Sequence, residues 1–500
     1  MSADLALPLA LAVPLAAAAL VGLAGRRPNL REGLTLAGSG LLAAVVMGSL
    51  LPAVLAGERP EWTLLETMPA LALRLRLEPL GMIFATVAAL LWPVNSLYSV
   101  GYMRGNREGH QTRFYVFFAL ALSAAMGVAL AGNLLTLFVF YEALTLSTYP
   151  LVTHRGTPEA MRAGRVYLGV LLATSIGLFL LAIAWTWAVA GTLAFAEGGI
   201  LRGRLGGGAV GVLLALYIFG IGKAALMPLH RWLPAAMVAP VPVSALLHAV
   251  AVVKAGVFAI VKVLVYVFGL DLLRSEPSAR WLLYVAGFTT ITASVIALRT
   301  LQRGGNLKRM LAYSTVSQLS YVVLAAAILA PLSAVGAALH IVAHAFGKIT
   351  LFFAAGSIYT AAGKTEIGEL AGIGRRMPWT MGAFAVGALS MIGLPPAAGF
   401  VSKWYILLAA FEAEALVAVV VLAASTLLNA AYFVPIVYTA FFADGPARAG
   451  APPASSAAAH GEAPWPIVLA TSATAALTLA FFVWPELPLA LALQLAGGSG

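Results

Sequence analysis

Apolar runs of membrane-spanning length recur along almost the whole chain, and they decide which folds are open to it. A helix that crosses a bilayer needs about 20 mainly apolar residues. In hydrocarbon every backbone N–H and C=O must also find its partner within the protein. Segments of that kind lie at approximately 4–24, 33–56, 79–103, 114–131, 133–152, 166–190, 209–228, 240–268, 280–300, 310–329, 332–361, 380–410, 414–442 and 465–484. Composition agrees, with 61% hydrophobic and 10% charged residues where soluble domains carry about 25% charged. The expected fold is an all-α polytopic membrane protein of about 14 transmembrane helices. The first run, "LALPLALAVPLAAAALVGLAG", has no basic stretch before it and Arg26 and Arg27 behind it, which predicts a retained helix rather than a cleaved signal peptide. The chain has no cysteine, so disulfides, thiolate metal sites and cysteine nucleophiles are excluded.

Orientation follows from the basic residues. Of the 30 Lys and Arg, 18 fall in one set of alternate loops, among them Arg26, Arg155, Lys308 and Lys364, and 7 in the other. The richer set is read as cytoplasmic and both termini as outside, in a bacterial or archaeal cell membrane. The net charge of +11 is thus mainly a topology signal, and no nucleic-acid partner is expected. The Ala/Pro/Gly/Ser-rich segment 443–464 reads as a flexible cytoplasmic linker in which His460 is solvated. The segment 57–78, with Glu58, Glu61 and Glu66, is an outside hairpin or interface.

The 5 remaining basic residues lie inside spans and all are lysines: Lys223, Lys254, Lys262, Lys348 and Lys403. Lysine can lose its proton when desolvated, whereas arginine stays charged, so lysine suits a site that changes charge. Lys262 lies near the outer end of its span, where snorkelling to the headgroups is the expected role. Glu142, in "FVFYEALTL", is the one acid near the centre of a span, at a cost of about 2.5 to 3.5 kcal/mol on insertion scales. His340, His344 and Lys348 follow at intervals of four, one stripe of one helix, while His248 and Lys254 share another span. A single buried histidine is readily a packing group. Three imidazoles, several lysines and a glutamate in hydrocarbon form a set that packing does not explain.

Two backbone signals stand beside the lysines. Pro228, Pro234, Pro240 and Pro242 follow Lys223, and Gly393, Pro395, Pro396 and Gly399 precede Lys403. Each proline removes a helix hydrogen bond, and irregular backbone at membrane depth survives only against protein or a hydrated cavity. Paired breaks in two halves predict broken helices 7 and 12 and two five-helix units, 114–268 and 280–442, of inverted topology. Around them lie a three-helix region, 1–113, and a C-terminal helix and tail, 465–500. Ionisable groups beside hydrated breaks have the chemistry of a proton relay. Glu142 and Lys223 are expected to pair as a charge switch, with His248, Lys254, His340, His344 and Lys348 carrying protons between halves and Lys403 as a terminal gate.

Five stretches carry a family resemblance: "GNLLTLFVFYEALTLSTYPLV", "KAALMPLHRWLPAAMVAPVPVSALLHAVAVVKAGVF", "GNLKRMLAYSTVSQLSYVV", "HIVAHAFGKITLFFAAGSI" and "GLPPAAGFVSKW". Over residues 100–410 the chain resembles the antiporter-like, proton-translocating subunits shared by Mrp-type Na+/H+ antiporters, respiratory complex I and membrane-bound hydrogenases. The resemblance implies fourteen core helices, inverted repeats and a central hydrophilic axis. It places Glu142 on the fifth helix, Lys223 on the seventh, His248 and Lys254 on the eighth, His340 and His344 on the eleventh and Lys403 on the twelfth. Lys403 stands where the middle complex I subunit usually has glutamate, and the chain ends at Gly500 without the lateral helix of the distal one. These departures point to the D-type subunit of Mrp antiporters.

The expected partners are other membrane subunits, the bilayer, protons and, through the complex, Na+. No cofactor or metal is expected, nor any catalytic chemistry beyond a translocase role in a redox complex. A hard cation wants several oxygen ligands, and the buried set offers one carboxylate among amines and imidazoles, so a sodium path is expected largely in a partner. A redox-driven pump subunit, and a solitary carrier or scaffold with vestigial ionisable groups, stay open as alternatives.

Overall fold

The computed structural model describes residues 2–68, 71–246, 250–443 and 461–497. His248, His460 and most of the 443–464 loop lie outside the described residues. In chain order the helices are α1 (Ala3–Leu23), α2 (Pro28–Leu55), α3 (Pro79–Gly105), α4 (Gln111–Ala129), α5 (Leu134–Val152), α6 (Pro158–Ala190), α7 (Gly208–Gly220), α8 (Val252–Val263) and α9 (Trp281–Gln302). They continue with α10 (Leu307–Ala326), α11 (Pro331–Ala362), α12 (Pro378–Ile392), α13 (Ala398–Glu412), α14 (Leu416–Phe442), α15 (Trp465–Val483) and α16 (Glu486–Gly497). Among the described residues, ten helices are long and apolar enough to cross a membrane: α1 to α6, α9, α11, α14 and α15.

Local chemistry sets several boundaries. The Asn133 side chain accepts from the Thr136 N–H at 2.7 Å and starts α5, Thr157 caps α6 ahead of Pro158, and Asn306 caps α10. Gly363, at φ +68°, ends α11 in the left-handed conformation that a side chain disfavours. Between α2 and α3 the strands β1 (Glu61–Met68) and β2 (Leu71–Arg76) form an antiparallel hairpin, where 57–78 was expected to hold one. The Arg76 N–H donates to the Leu130 carbonyl at 2.8 Å, which ties the hairpin to the end of α4.

Two expected spans are interrupted. The 209–228 span stops at Gly220 and continues as short turns around Gly222–Ala224 and Trp232–Ala235. The 380–410 span is split into α12 and α13 at 393–397. Both breaks fall where the Pro/Gly clusters put them. Of the 240–268 span, the structure describes a helical turn at Val241–Ala245 and α8. The C-terminal tail also carries the unexpected helix α16.

α11 is the axis of the fold. Every residue from Ser333 to Ile358 is buried, and the helix packs against α3, α10, α12, α13, α15 and α16, with α8 crossing it. A helix apolar on all sides belongs at the centre of a bundle. That placement puts His340, His344 and Lys348 in protein rather than in lipid.

Candidate functional site

In the first half the break of helix 7 docks Lys223 onto α5. The fully buried Lys223 Nζ donates to the Tyr141 carbonyl at 2.8 Å and to Thr145 Oγ1 at 2.5 Å, and it sits 3.2 Å from the Tyr141 ring centroid. The Lys223 N–H, freed by the break, donates to the Tyr141 hydroxyl at 3.0 Å. Glu142 is the next residue, but one residue is about 100° of helix rotation. Its position shares a stripe with Val139 and Leu146, which are 40% and 57% exposed, but Glu142 itself is half-buried. Both carboxylate oxygens are buried without a hydrogen-bond partner among the described residues. A Glu142–Lys223 ion pair within 4 Å is not formed among the described residues; the two charges lie near enough to act on each other, while Lys223 is anchored on Tyr141 and Thr145.

α8 and α11 carry the centre. Lys254 Nζ is in hydrogen-bond contact with His344 Nδ1, and His340 and His344 hold their ring centroids 6.3 Å apart. Gly256 brings α8 close to the helix 7 break, since a Cβ there would lie 2.3 Å from Lys223 C and Ala224 N. Lys348, one turn beyond His344, donates to the Leu311 carbonyl at 3.2 Å and to Ser314 Oγ at 2.7 Å on α10.

The second half closes on Lys403. His340 Nδ1 lies 2.9 Å from Ser402 Oγ, and its Nε2 lies 3.1 Å from Gln318 Oε1. Gln318 Nε2 donates to the Met391 carbonyl, which Lys403 Nζ also uses, at 3.0 Å, together with the Ile392 carbonyl at 2.8 Å. These carbonyls are free because Gly393, at φ +89°, stops α12. At Gly399 a Cβ would sit 1.7 Å from the Ser390 carbonyl oxygen, so glycine is what lets α13 start against α12.

Two further groups differ from expectation or escaped it. Lys262 does not snorkel. It is fully buried, 3.1 Å from Glu78 Oε2, and donates to the Ala131 carbonyl at 2.6 Å. Glu78 at the start of α3, the Ala131 carbonyl and the Phe195 and Phe258 rings surround its ammonium. Neutral polar residues on α10 and α14 make up the rest of the network: Ser314, Gln318, Asn429 and Tyr432. Their spacing of three and four residues was the readable signal for an inward polar face.

Cavities open at both ends. On the arginine-rich side one of about 520 Å³ is lined by Arg155, Lys308, Arg309 and Lys364 with Glu159 and Tyr359. Burial and the neighbouring Arg155 guanidinium push the pKa of the Lys308 ammonium down to about 7, and its Nζ donates to the Ala239 carbonyl just before the Val241–Ala245 turn. On the opposite side one of about 490 Å³ is lined by Arg59, Glu197, Arg202, Tyr266 and Asp271. Among the described residues no cluster of His, Asp and Glu has the makings of a metal site.

Comparison with known proteins gives these contacts a context. Residues 131–429 match the family model described as NADH:quinone oxidoreductase/Mrp antiporter, TM. The N-type subunit of the NADH-quinone oxidoreductase of Desulforudis audaxviator is 37% identical over 377 residues, covering 75% of this chain and 74% of that one. The D-type subunit of the Na(+)/H(+) antiporter of Alkalihalophilus pseudofirmus is 28% identical over 366 residues, covering 72% and 73%. A chain of the membrane-bound sulfane sulfur reductase, an archaeal respiratory membrane complex, superposes with a TM-score of 0.83 at 25% identity, covering 98% and 97%. Continuous coverage from the Glu142 helix to the α14 network places the chain in the NADH:quinone oxidoreductase/Mrp antiporter transmembrane family.

Proposed function

We propose that this chain is a proton-translocating subunit of a multisubunit membrane complex, with protons carried along Glu142, Lys223, Lys254, His344, His340 and Lys403, and Lys348 as a side store. His248 belongs to the same set by its place in the sequence. The observation that carries this reading is the run of contacts across α8, α11 and α13, in which Lys254 meets His344 and His340 reaches the Lys403 carbonyls through Gln318. Proton-holding groups so arranged within hydrocarbon are a transport path by default. The two end cavities give such a path an aqueous mouth on each side.

Glu142 points to the assembly. A half-buried acid whose oxygens have no hydrogen bond within its own chain is tolerated in a membrane when it is functional, and the exposed Val139 and Leu146 beside it give a neighbouring subunit a surface to pack on. Two assemblies suit the chain. The features at Lys403 favour a Mrp-type monovalent cation/proton antiporter of a bacterial or archaeal cell membrane, with the sodium path largely in another subunit. The 37% identity to an NADH-quinone oxidoreductase subunit favours a redox complex in which partner subunits move the electrons.

The test uses the intact complex in vesicles holding a pH-sensitive dye. Proton movement on addition of Na+ supports the antiporter; movement on addition of a reduced electron donor, indifferent to Na+, supports the redox pump. Glu142→Ala and Lys403→Ala are expected to cut whichever signal appears by about tenfold or more. Wild-type signals from both would overturn the relay.

A further inference from the structure

Lipid is a ligand that every membrane-spanning chain meets, and one corner of this fold gathers charge beside it. The α1–α2 turn, the end of α3 and the start of α4 come together there. Between them, on the arginine-rich side, lies a cavity of about 620 Å³ lined by Arg27, Pro28, Asn29, Arg104, Arg107 and Gln111.

These arginines stand on a built frame. Glu32 is buried and grips Arg104, whose Nε lies 3.0 Å from Glu32 Oε1 and whose Nη2 reaches Glu32 Oε2 and, at 2.7 Å, Asn29 Oδ1. Arg31, buried 3.4 Å from Glu32, donates to Gln111 Oε1 at 2.7 Å and to Thr112 Oγ1 at 3.2 Å, and its guanidinium lies over the Tyr115 ring. Gln111 in turn donates to the Met103 and Glu108 carbonyls. Side chains of α2, α3 and α4 are thus tied together around the cavity. Arg27 and Arg107 are set by their own backbone, with N–H groups that donate to the Ala24 carbonyl at 2.9 Å and the Arg104 carbonyl at 3.1 Å.

Positive charge is in excess at this corner. Arg27, Arg31, Arg104 and Arg107 gather around one carboxylate, Glu32, while the nearby Glu108 is paired with Arg155. Like charges held together at the edge of a low-dielectric bundle raise its free energy, and an anion among them lowers it. Guanidinium groups suit the paired oxygens of a phosphate. Apolar surface begins within one helical turn of Arg27: Leu23 and Leu30 are 86% and 46% exposed. A free phosphate would use the arginines alone. A phospholipid uses both, and basic pockets between helices at a membrane edge take acidic head groups.

We propose that this cavity holds the phosphate of an anionic phospholipid between Arg27, Arg104 and Arg107, with an acyl chain against Leu23 and Leu30. The lipid then bridges the α1–α2 turn and the α3–α4 loop, whatever ion the chain moves.

The test uses the complete complex, stripped of lipid and returned to phosphatidylcholine vesicles with rising fractions of phosphatidylglycerol that bears a photoreactive acyl chain. Labelling is read on peptides from α1 and α2. Its half-point is expected to need about fivefold more phosphatidylglycerol in Arg27→Gln or Arg107→Gln than in wild type, and about 25-fold more in the double variant. Labelling elsewhere in the complex should not change. A photoreactive phosphatidylcholine should mark α1 and α2 no more than other lipid-facing helices, and inorganic phosphate should not displace the anionic probe. Equal half-points in wild type and the variants overturn the proposal, as does equal labelling of α1 and α2 by the two lipids. Displacement by inorganic phosphate makes this a site for a free anion and overturns the lipid assignment. Arg27 and Arg107 stand outside the Glu32–Arg104–Asn29 frame, and if the double variant does not assemble the single variants carry the test.

Discussion

The two broken helices solve one problem in different ways. Each brings a buried lysine to freed backbone and each relies on a glycine to let a neighbouring element come close, Gly256 at the first break and Gly399 at the second. Lys223 is held by another helix, through the Tyr141 carbonyl and Thr145 of α5. Lys403 is held chiefly by the carbonyls of its own interrupted span. The same turn of α5 that fixes Lys223 carries Glu142, on a stripe with the exposed Val139 and Leu146. The first half is therefore exposed to whatever lies beside it in the membrane, since any shift of α5 moves an acid and an amine anchor together. The second half is closed upon itself.

If the first half is a charge switch, positive charge alone will not replace its lysine. Lys223→Arg keeps the charge but cannot release a proton. Driven transport by the complex in vesicles is expected to fall about tenfold or more, as it should for Lys223→Met. Near-normal transport in the arginine variant would reduce Lys223 to an electrostatic prop and erase the contrast with α5. A smaller effect is expected at the buried Lys262–Glu78 pair, which fastens α8 to α3. Lys262→Met leaves a buried carboxylate uncompensated, at a cost of about 3 to 5 kcal/mol. The double variant with Glu78→Gln should regain much of the melting temperature of the purified complex. If the single variant is as stable as wild type, the pair contributes nothing to the anchoring of the first half.

The smallest effect tests whether the loop beneath α5 shares its sensitivity. Burial, followed by the neighbouring Arg113 charge, lowers the proton affinity of His154, whose Nε2 lies 3.0 Å from the Gly109 carbonyl. With its pKa lower folded than unfolded, neutral His154 costs nothing above the unfolded value of about 6.5, and the folded state loses stability as pH falls below it. His154→Gln should flatten the decline in melting temperature between about pH 7.5 and about pH 5.5. An unchanged slope would remove His154 from the account.

Much of this was legible because hydrocarbon punishes exceptions. Proline at 228 and 395 and lysine at 223 and 403 stand out against apolar sequence, and the breaks lie where those residues put them. Lys262 was misplaced because distance along a span gives depth in lipid, but only tertiary packing says whether a carboxylate such as Glu78 meets the amine. Glu142 could be read as costly, but only the packing of α5 shows that its oxygens are buried without a hydrogen bond among the described residues. The amides were passed over because hydroxyls and carboxamides are common in membrane helices and carry no charge to betray them. Their periodicity, 314, 318 and 321 on α10 and 425, 429 and 432 on α14, was the information available.

The burial of α11 from Ser333 to Ile358 has a kinetic meaning. Displacing a rod buried on every side would tear contacts from many neighbours at once. His340, His344 and Lys348 are thus fixed points on a stator. On the proposed proton path, what moves is then small, a rotamer, a hydroxyl or a water molecule, and its rate should follow how quickly those few atoms rearrange rather than how far a helix can swing.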